Sequence, residues 1–199
     1  MEETRNKTAM QKTQIFNVII LDRSGSMQRI RQAAVDGFNE TLVGIKKAQE
    51  KFADTQEHFV SLVTFCSCET CNVFDKVPVG KATPLSMNDY EPCCSTPLYD
   101  AMGFTLTAMH KQIKDIEDVA VVVTIITDGY ENASKENIMV VASRHLWKHF
   151  AKEAGHSLTW EQIKIQWKLL CRCLSAMLVI LIIVQKEHVL PCAKTPRPV

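Results

Sequence analysis

Residues 15 to 21, Ile-Phe-Asn-Val-Ile-Ile-Leu, form a nearly continuous apolar run ending in Asp-Arg-Ser-Gly-Ser, as expected of a parallel strand buried on both faces and running into a loop. From Arg29 to Phe52 the apolar residues Ile30, Ala34, Phe38, Leu42, Ile45, Ala48 and Phe52 recur every three or four positions, with Arg, Gln, Glu and Lys between them. That period predicts an amphipathic helix laid on a sheet. Phe59 to Phe65 predicts a second strand, and Asn72 to Val79 a short third one stopped by the breakers Pro78 and Gly80, the two pairing as a hairpin at one edge. Lys81 to Ser95 holds two prolines and little periodicity, so a loop is expected. Thr96-Pro97 then opens a second amphipathic helix through Leu98, Met102, Leu106, Met109 and Ile113, with Pro97 in the first turn, where a missing N–H costs nothing. Val119 to Thr127 is the most apolar β-branched run and ends in Asp-Gly, predicting another strand buried on both faces. Strands alternating with helices predict an α/β fold built on a doubly wound, mainly parallel sheet. Such sheets bind ligands where the carboxyl ends of the strands meet the loops. Asp22 and Asp128 both fall at such ends, and Thr96 begins a helix.

Composition narrows the possible partners. The 199 residues suffice for one α/β domain with a sizeable core, and 23 Lys+Arg against 22 Asp+Glu give no electrostatic case for nucleic acid or an anionic membrane surface. Met1 to Thr13 is polar, without the apolar run of a secretory signal, and a cytoplasmic protein is the expectation. Reduced thiols are therefore expected for the eight cysteines. Cys66, Cys68 and Cys71 lie close together and Cys93 and Cys94 share a second loop, so the two groups are either a zinc site or ordinary buried and loop thiols. C-x-C-x-x-C followed by CC matches no standard zinc ribbon or finger.

The residues after the first strand, Asp22-Arg23-Ser24-Gly25-Ser26, make a D-x-S-G-S pattern; Thr96 stands in Cys-Ser-Thr-Pro-Leu-Tyr-Asp, and Asp128 in Ile-Thr-Asp-Gly-Tyr-Glu-Asn. In these three pieces, over about residues 14 to 135, the chain resembles the von Willebrand factor A (integrin I-like) family, and in particular its small intracellular bacterial or phage type. The resemblance implies a Rossmann-like fold and a metal-ion-dependent adhesion site. Ser24 and Ser26 would ligate the ion directly, Thr96 directly or through water, and Asp22 and Asp128 through metal-bound waters. The implied cofactor is Mg²⁺ or Mn²⁺, hard cations that favour oxygen donors. With few direct anionic ligands, the ion keeps an open position for an Asp or Glu of a partner protein. Gly25 is expected to let the backbone turn between the two hydroxyls, and Ser26 to precede the first helix, whose dipole favours the incoming carboxylate. The plainer alternative is that Ser24 and Ser26 cap a helix and Asp22 ends a strand. Tyr99 and Asp100 are expected to pack and to start the second helix, not to ligate.

The remainder departs from the family. After the strand that ends at Asp128 the family continues with a helix, a buried strand and a closing helix, so the domain expected over residues 14–136 is incomplete, with an atypical segment over 137–199. That segment carries a basic stretch with Trp and His, Cys171-Arg172-Cys173, and the apolar block Ala176 to Val184. The block is shorter than the ~20 residues of a spanning helix. It can instead replace a lost helix or strand, or the segment can be the product of a shifted reading frame. The last of these is favoured. With synonymous codons chosen freely, the neighbouring frame from Glu136 to Ile165 can spell a helix, a Gly-Gly stop and an apolar strand ending in Gly-Ala-Asn. His145 and His149, spaced i,i+4, are a further metal candidate within this segment.

The function expected is a metal-dependent protein-binding adaptor and not an enzyme. The rival from another class is a metal-dependent phosphotransfer enzyme resembling the haloacid dehalogenases, which need a second Asp two residues after the first as general acid. Position 24 is Ser. A nonfunctional truncated product is the third possibility.

Overall fold

The computed structural model describes residues 12–128, 132–134 and 178–186. Among them, five strands form one sheet in the order β3-β2-β1-β4-β5: β1 (Thr13–Asp22), β2 (Gln56–Phe65), β3 (Thr70–Pro78), β4 (Val119–Thr127) and β5 (Leu178–Lys186). The three central strands are parallel, β1 pairing with β2 on one side and β4 on the other. Both outer strands run antiparallel to their neighbours, so the parallel character is confined to the centre. The expected edge hairpin is present as β2 and β3.

Helix α1 (Arg31–Lys51) and helix α2 (Leu98–Ile113) cover opposite faces. Ala34, Val35, Phe38 and Leu42 of α1 pack on Ile19 and Leu21 of β1, Val60 and Leu62 of β2, and Ile126 of β4. Leu98, Ala101, Met102, Met109 and Ile113 of α2 pack on Phe16, Val18 and Ile20 of β1 and on Val119, Val121, Val123 and Ile125 of β4. Alternate residues of β1 thus serve the two cores, which is why this strand reads as unbroken apolar sequence. Each fully buried Leu, Ile or Phe contributes roughly 1.5–3 kcal/mol by leaving water.

Leu178 to Val184 of the apolar block lie in β5, antiparallel to β4 from Val119↔Lys186 to Thr127↔Leu178. It covers an edge of β4 that would otherwise carry unpaired backbone groups. No helix among the described residues is long and apolar enough to cross a membrane. His145 and His149 lie outside the described residues.

One buried titratable group sits at the amino end of β2. Asn17 Nδ2 is 3.4 Å from His58 Nδ1, and His58 Nε2 is 3.1 Å from Gln56 Oε1, which suits a neutral ring protonated at Nε2. Burial pushes His58 below its ordinary range. The unfolded chain therefore takes up a proton near pH ~6.5 while the folded ring resists it. Stability from this group is whole above that pH and declines as pH falls toward the lower folded value. Urea melts between about pH 7 and about pH 5 should show this slope in the wild type and a shallower one in His58→Gln. Equal slopes would remove His58 from the explanation.

Candidate metal centre

The chain passes from β1 to β2 and β3 on one side, then returns through α2 to place β4 on the other side of β1. The strand order therefore reverses between β1 and β4, and open α/β sheets bind ligands at the carboxyl ends of the strands flanking such a point. Asp22 ends β1 there and Asp128 directly follows β4. Asp22 is fully buried. Its Oδ1 accepts the Ser24 backbone N–H at 2.7 Å, and its Oδ2 accepts the Thr127 hydroxyl at 2.7 Å. Burial pushes the Asp22 pKa up; the Thr127 and Ser24 hydrogen bonds oppose this, and the Asp128 charge adds to it.

Asp128 differs. Both of its carboxylate oxygens are shielded from solvent and neither accepts a hydrogen bond among the described residues. Burying an ionised carboxylate without donors costs several kcal/mol, so native folds pair such groups or place them on a cation.

Ser24 and Ser26 point their hydroxyls at each other, Oγ to Oγ 3.1 Å. Ser24 occupies the cap position of a short 3-10 helix (Gly25–Ile30), yet its side chain makes no capping bond. Helix capping therefore does not account for the Ser24 hydroxyl. Two sequence expectations are corrected at this loop. Ser26 does not immediately precede α1: it lies inside the 3-10 helix, and α1 begins only at Arg31, so the dipole argument loses its full helix. The tight turn causes this, with Met27 N–H already bonded back to the Ser24 carbonyl at 3.1 Å. Gly25 is needed less for its dihedral freedom than for space. A Cβ there would stand 3.2 Å from the Cys94 carbonyl oxygen, which accepts the Gly25 N–H at 2.9 Å.

That bond ties the Ser24–Ser26 loop to the segment before α2. Cys93 N–H donates to the Arg23 carbonyl at 2.8 Å, and the buried Tyr90 hydroxyl donates to the Asp22 carbonyl. Thr96, nearly inaccessible to solvent, follows directly. Its N–H donates to Asn132 Oδ1 at 2.8 Å, and Asn132 N–H donates back to the Thr96 carbonyl at 3.2 Å. The three segments carrying Asp22, Ser24 and Ser26, Thr96, and Asp128 are thus hydrogen-bonded at one end of the sheet. Pro97 takes the cap position and α2 starts at Leu98. The N–H groups of Tyr99 and Asp100 donate to Ser134 Oγ at 3.1 and 3.2 Å, consistent with helix-start duty.

Thr127, Tyr90 and Asn132 were not singled out from the sequence. Thr127 adjoins Asp128 and its hydroxyl role had a local hint in Ile-Thr-Asp. Tyr90 had none, because its partner lies in β1 and only the fold brings them together.

The cysteines overturn a further expectation. Cys68 and Cys94 are joined by a disulfide, so the thiols are not all reduced. The β2–β3 loop and the segment before α2 lie side by side, with Ser67 N–H on the Ser95 carbonyl at 2.9 Å and Ser95 N–H on Ser67 Oγ at 3.0 Å. Cys66 Sγ lies 3.6 Å from Cys93 Sγ and 3.8 Å from the Arg23 guanidinium, which also pairs with Glu69. Burial raises the Cys66 pKa, but hydrogen bonds from the backbone of Glu69 and Cys68, from Cys93 and from Arg23 outweigh it, and the net shift is downward.

No protein-family model matches this chain and no curated protein matches it, so the role of the site rests on its own residues.

Proposed function

We propose that the chain is a protein-binding module of the von Willebrand factor A type, in which Asp22, Ser24, Ser26, Thr96 and Asp128 hold one Mg²⁺ or Mn²⁺. The observation that carries the proposal is the Asp128 carboxylate, shielded from water and without a donor among the described residues, at the same sheet end as the paired Ser24 and Ser26 hydroxyls. Hydroxyls and carboxylates are the donor set a hard divalent cation selects. The Asp22 oxygens are held by Ser24 N–H and Thr127, which fixes the carboxylate at the strand end. Asp22 and Asp128 supply negative charge, while Ser24, Ser26 and Thr96 supply neutral oxygens, so the ion retains electrophilic character. When bound, it supplies an open coordination position for an Asp or Glu side chain of a partner protein. Binding and not catalysis is part of the proposal, as are a cytoplasmic setting and a Rossmann-like fold of this family.

The test is a thermal melt with and without Mg²⁺ or Mn²⁺. At about a hundredfold excess over Kd the ion stabilises the wild type by ~2.7 kcal/mol. Asp22→Ala and Ser24→Ala should abolish that increment, and Cys71→Ser should leave it in place. Equal metal-induced shifts in the wild type and Asp22→Ala would contradict the proposal.

A further inference from the structure

The two cysteine loops converge on a second constellation, with donors of a different class. The sulfurs of Cys66, Cys68 and Cys94 lie within 4.8 Å of one another, and Cys93 Sγ is 3.6 Å from Cys66 Sγ. Zn–S bonds of about 2.3 Å place the sulfurs of a tetrahedral site ~3.8 Å apart. Three of the sulfurs already lie near that spacing, and Cys93, which touches Cys66 but stands outside the group of three, has to swing toward Cys68 and Cys94 to complete it.

We propose that Cys66, Cys68, Cys93 and Cys94 form a four-thiolate Zn²⁺ site that replaces the Cys68–Cys94 disulfide under reducing conditions. Two short segments each supply a pair of sulfurs, one from the β2–β3 loop and one from the segment before Thr96. Cys94 has φ 62°, a left-handed conformation rare for a residue with a side chain, and it allows two consecutive cysteines to approach one centre. The outer surroundings also suit a coordinating sulfur. Cys66 is buried and receives hydrogen bonds from the backbone N–H groups of Cys68 and Glu69, with the Arg23 guanidinium 3.8 Å away to offset thiolate charge. Cys71 is excluded because its thiol engages Glu69. Soft sulfur selects zinc while the oxygen cage selects magnesium, so neighbouring sites sort the two cations by donor type.

The exchange is balanced with a dithiol reductant. The Cys68–Cys94 S–S bond accepts two electrons and two protons to give two thiols, and the dithiol becomes its own disulfide. Four thiols then bind one Zn²⁺ and release up to four protons. Disulfide and zinc are mutually exclusive states of one clamp, which holds the segment leading to Thr96 against the loop beside Arg23.

The full chain, reduced with a phosphine, is loaded with Zn²⁺ and freed of excess metal. Its zinc content is then measured, and its cysteines are mapped by alkylation and mass spectrometry. One zinc per chain is expected, with Cys66, Cys68, Cys93 and Cys94 protected and Cys71 alkylated. Cys66→Ser and Cys93→Ser should each retain less than about a tenth of the zinc, and Cys71→Ser all of it. Alkylation of the four cysteines at one rate with and without zinc overturns the proposal, as does protection confined to Cys171, Cys173 and Cys192. The protection arm uses the unmutated chain, so failure of a variant to fold does not obscure the result.

Discussion

In metal-stripped protein, Asp128→Asn should raise the melting temperature, and in excess Mg²⁺ it should lower it relative to the wild type. The crossing follows from the two buried acids. Asp22 has donors on both oxygens, from Ser24 and Thr127, whereas Asp128 has none among the described residues. A buried carboxylate without donors costs several kcal/mol when it carries its charge, and a neutral amide of the same shape recovers part of that cost. A recovery of about 2 kcal/mol corresponds to some 4–8 °C for a domain of this size. Saturating metal reverses the order. The wild type gains ~2.7 kcal/mol at a hundredfold excess over Kd, and the Asn variant, with one of the two carboxylates of the site neutralised, forgoes most of that gain. Melts of both proteins in chelator and in Mg²⁺ check it. A structural carboxylate with ordinary hydrogen bonds would behave differently: the Asn substitution would lower both melts alike.

The sign of the chelator arm is the informative part, because a loss of stability on mutating a buried residue has many causes and a gain has few. Thr127 sharpens it further. Its hydroxyl satisfies Asp22 and not Asp128, although it adjoins Asp128 in the chain. The donor nearest to Asp128 in the chain thus serves Asp22 instead.

Much of this was legible from local pattern. The central strands announce themselves because burial on both faces leaves no polar alternation in Ile15–Leu21 or Val119–Thr127. The amphipathic period of α1 and α2 reports the face each helix turns to the sheet. The strand-end positions of Asp22 and Asp128 followed from the same runs. Three things were not legible. The 3-10 start of α1 depends on the Ser24–Met27 bond and the close Cys94 carbonyl, which periodicity does not register. The cysteine cluster depends on two loops meeting, and its C-x-C and CC spacing is no pattern of its own. The direction of β5 depends on a long connection and not on the composition of its apolar block, which suits a strand of either sense.

A chain ended after Ser134 should associate into higher-order species. The strand β4 pairs with β1 through one edge and with β5 through the other, over its whole length from Val119 to Thr127. Removing β5 exposes nine residues of backbone donors and acceptors on a strand with no charge or proline to blunt it, a template for pairing with a second copy. The truncated protein should elute as higher-order species or appear in the insoluble fraction, where the full chain does so less. A lysine at the half-buried Val122 should restore part of the soluble yield by placing a charge on the bare edge. The outcome also bears on whether residues 137–199 were shaped to complete this sheet. A shifted reading frame supplies an apolar strand by accident of composition, and the β4 edge accepts any such strand because the ladder is made by backbone groups and not by side-chain identity. Equal solubility and equal melting temperature in the truncated and full chains would mean that β5 contributes nothing, leaving the domain to fold on β1 to β4 alone.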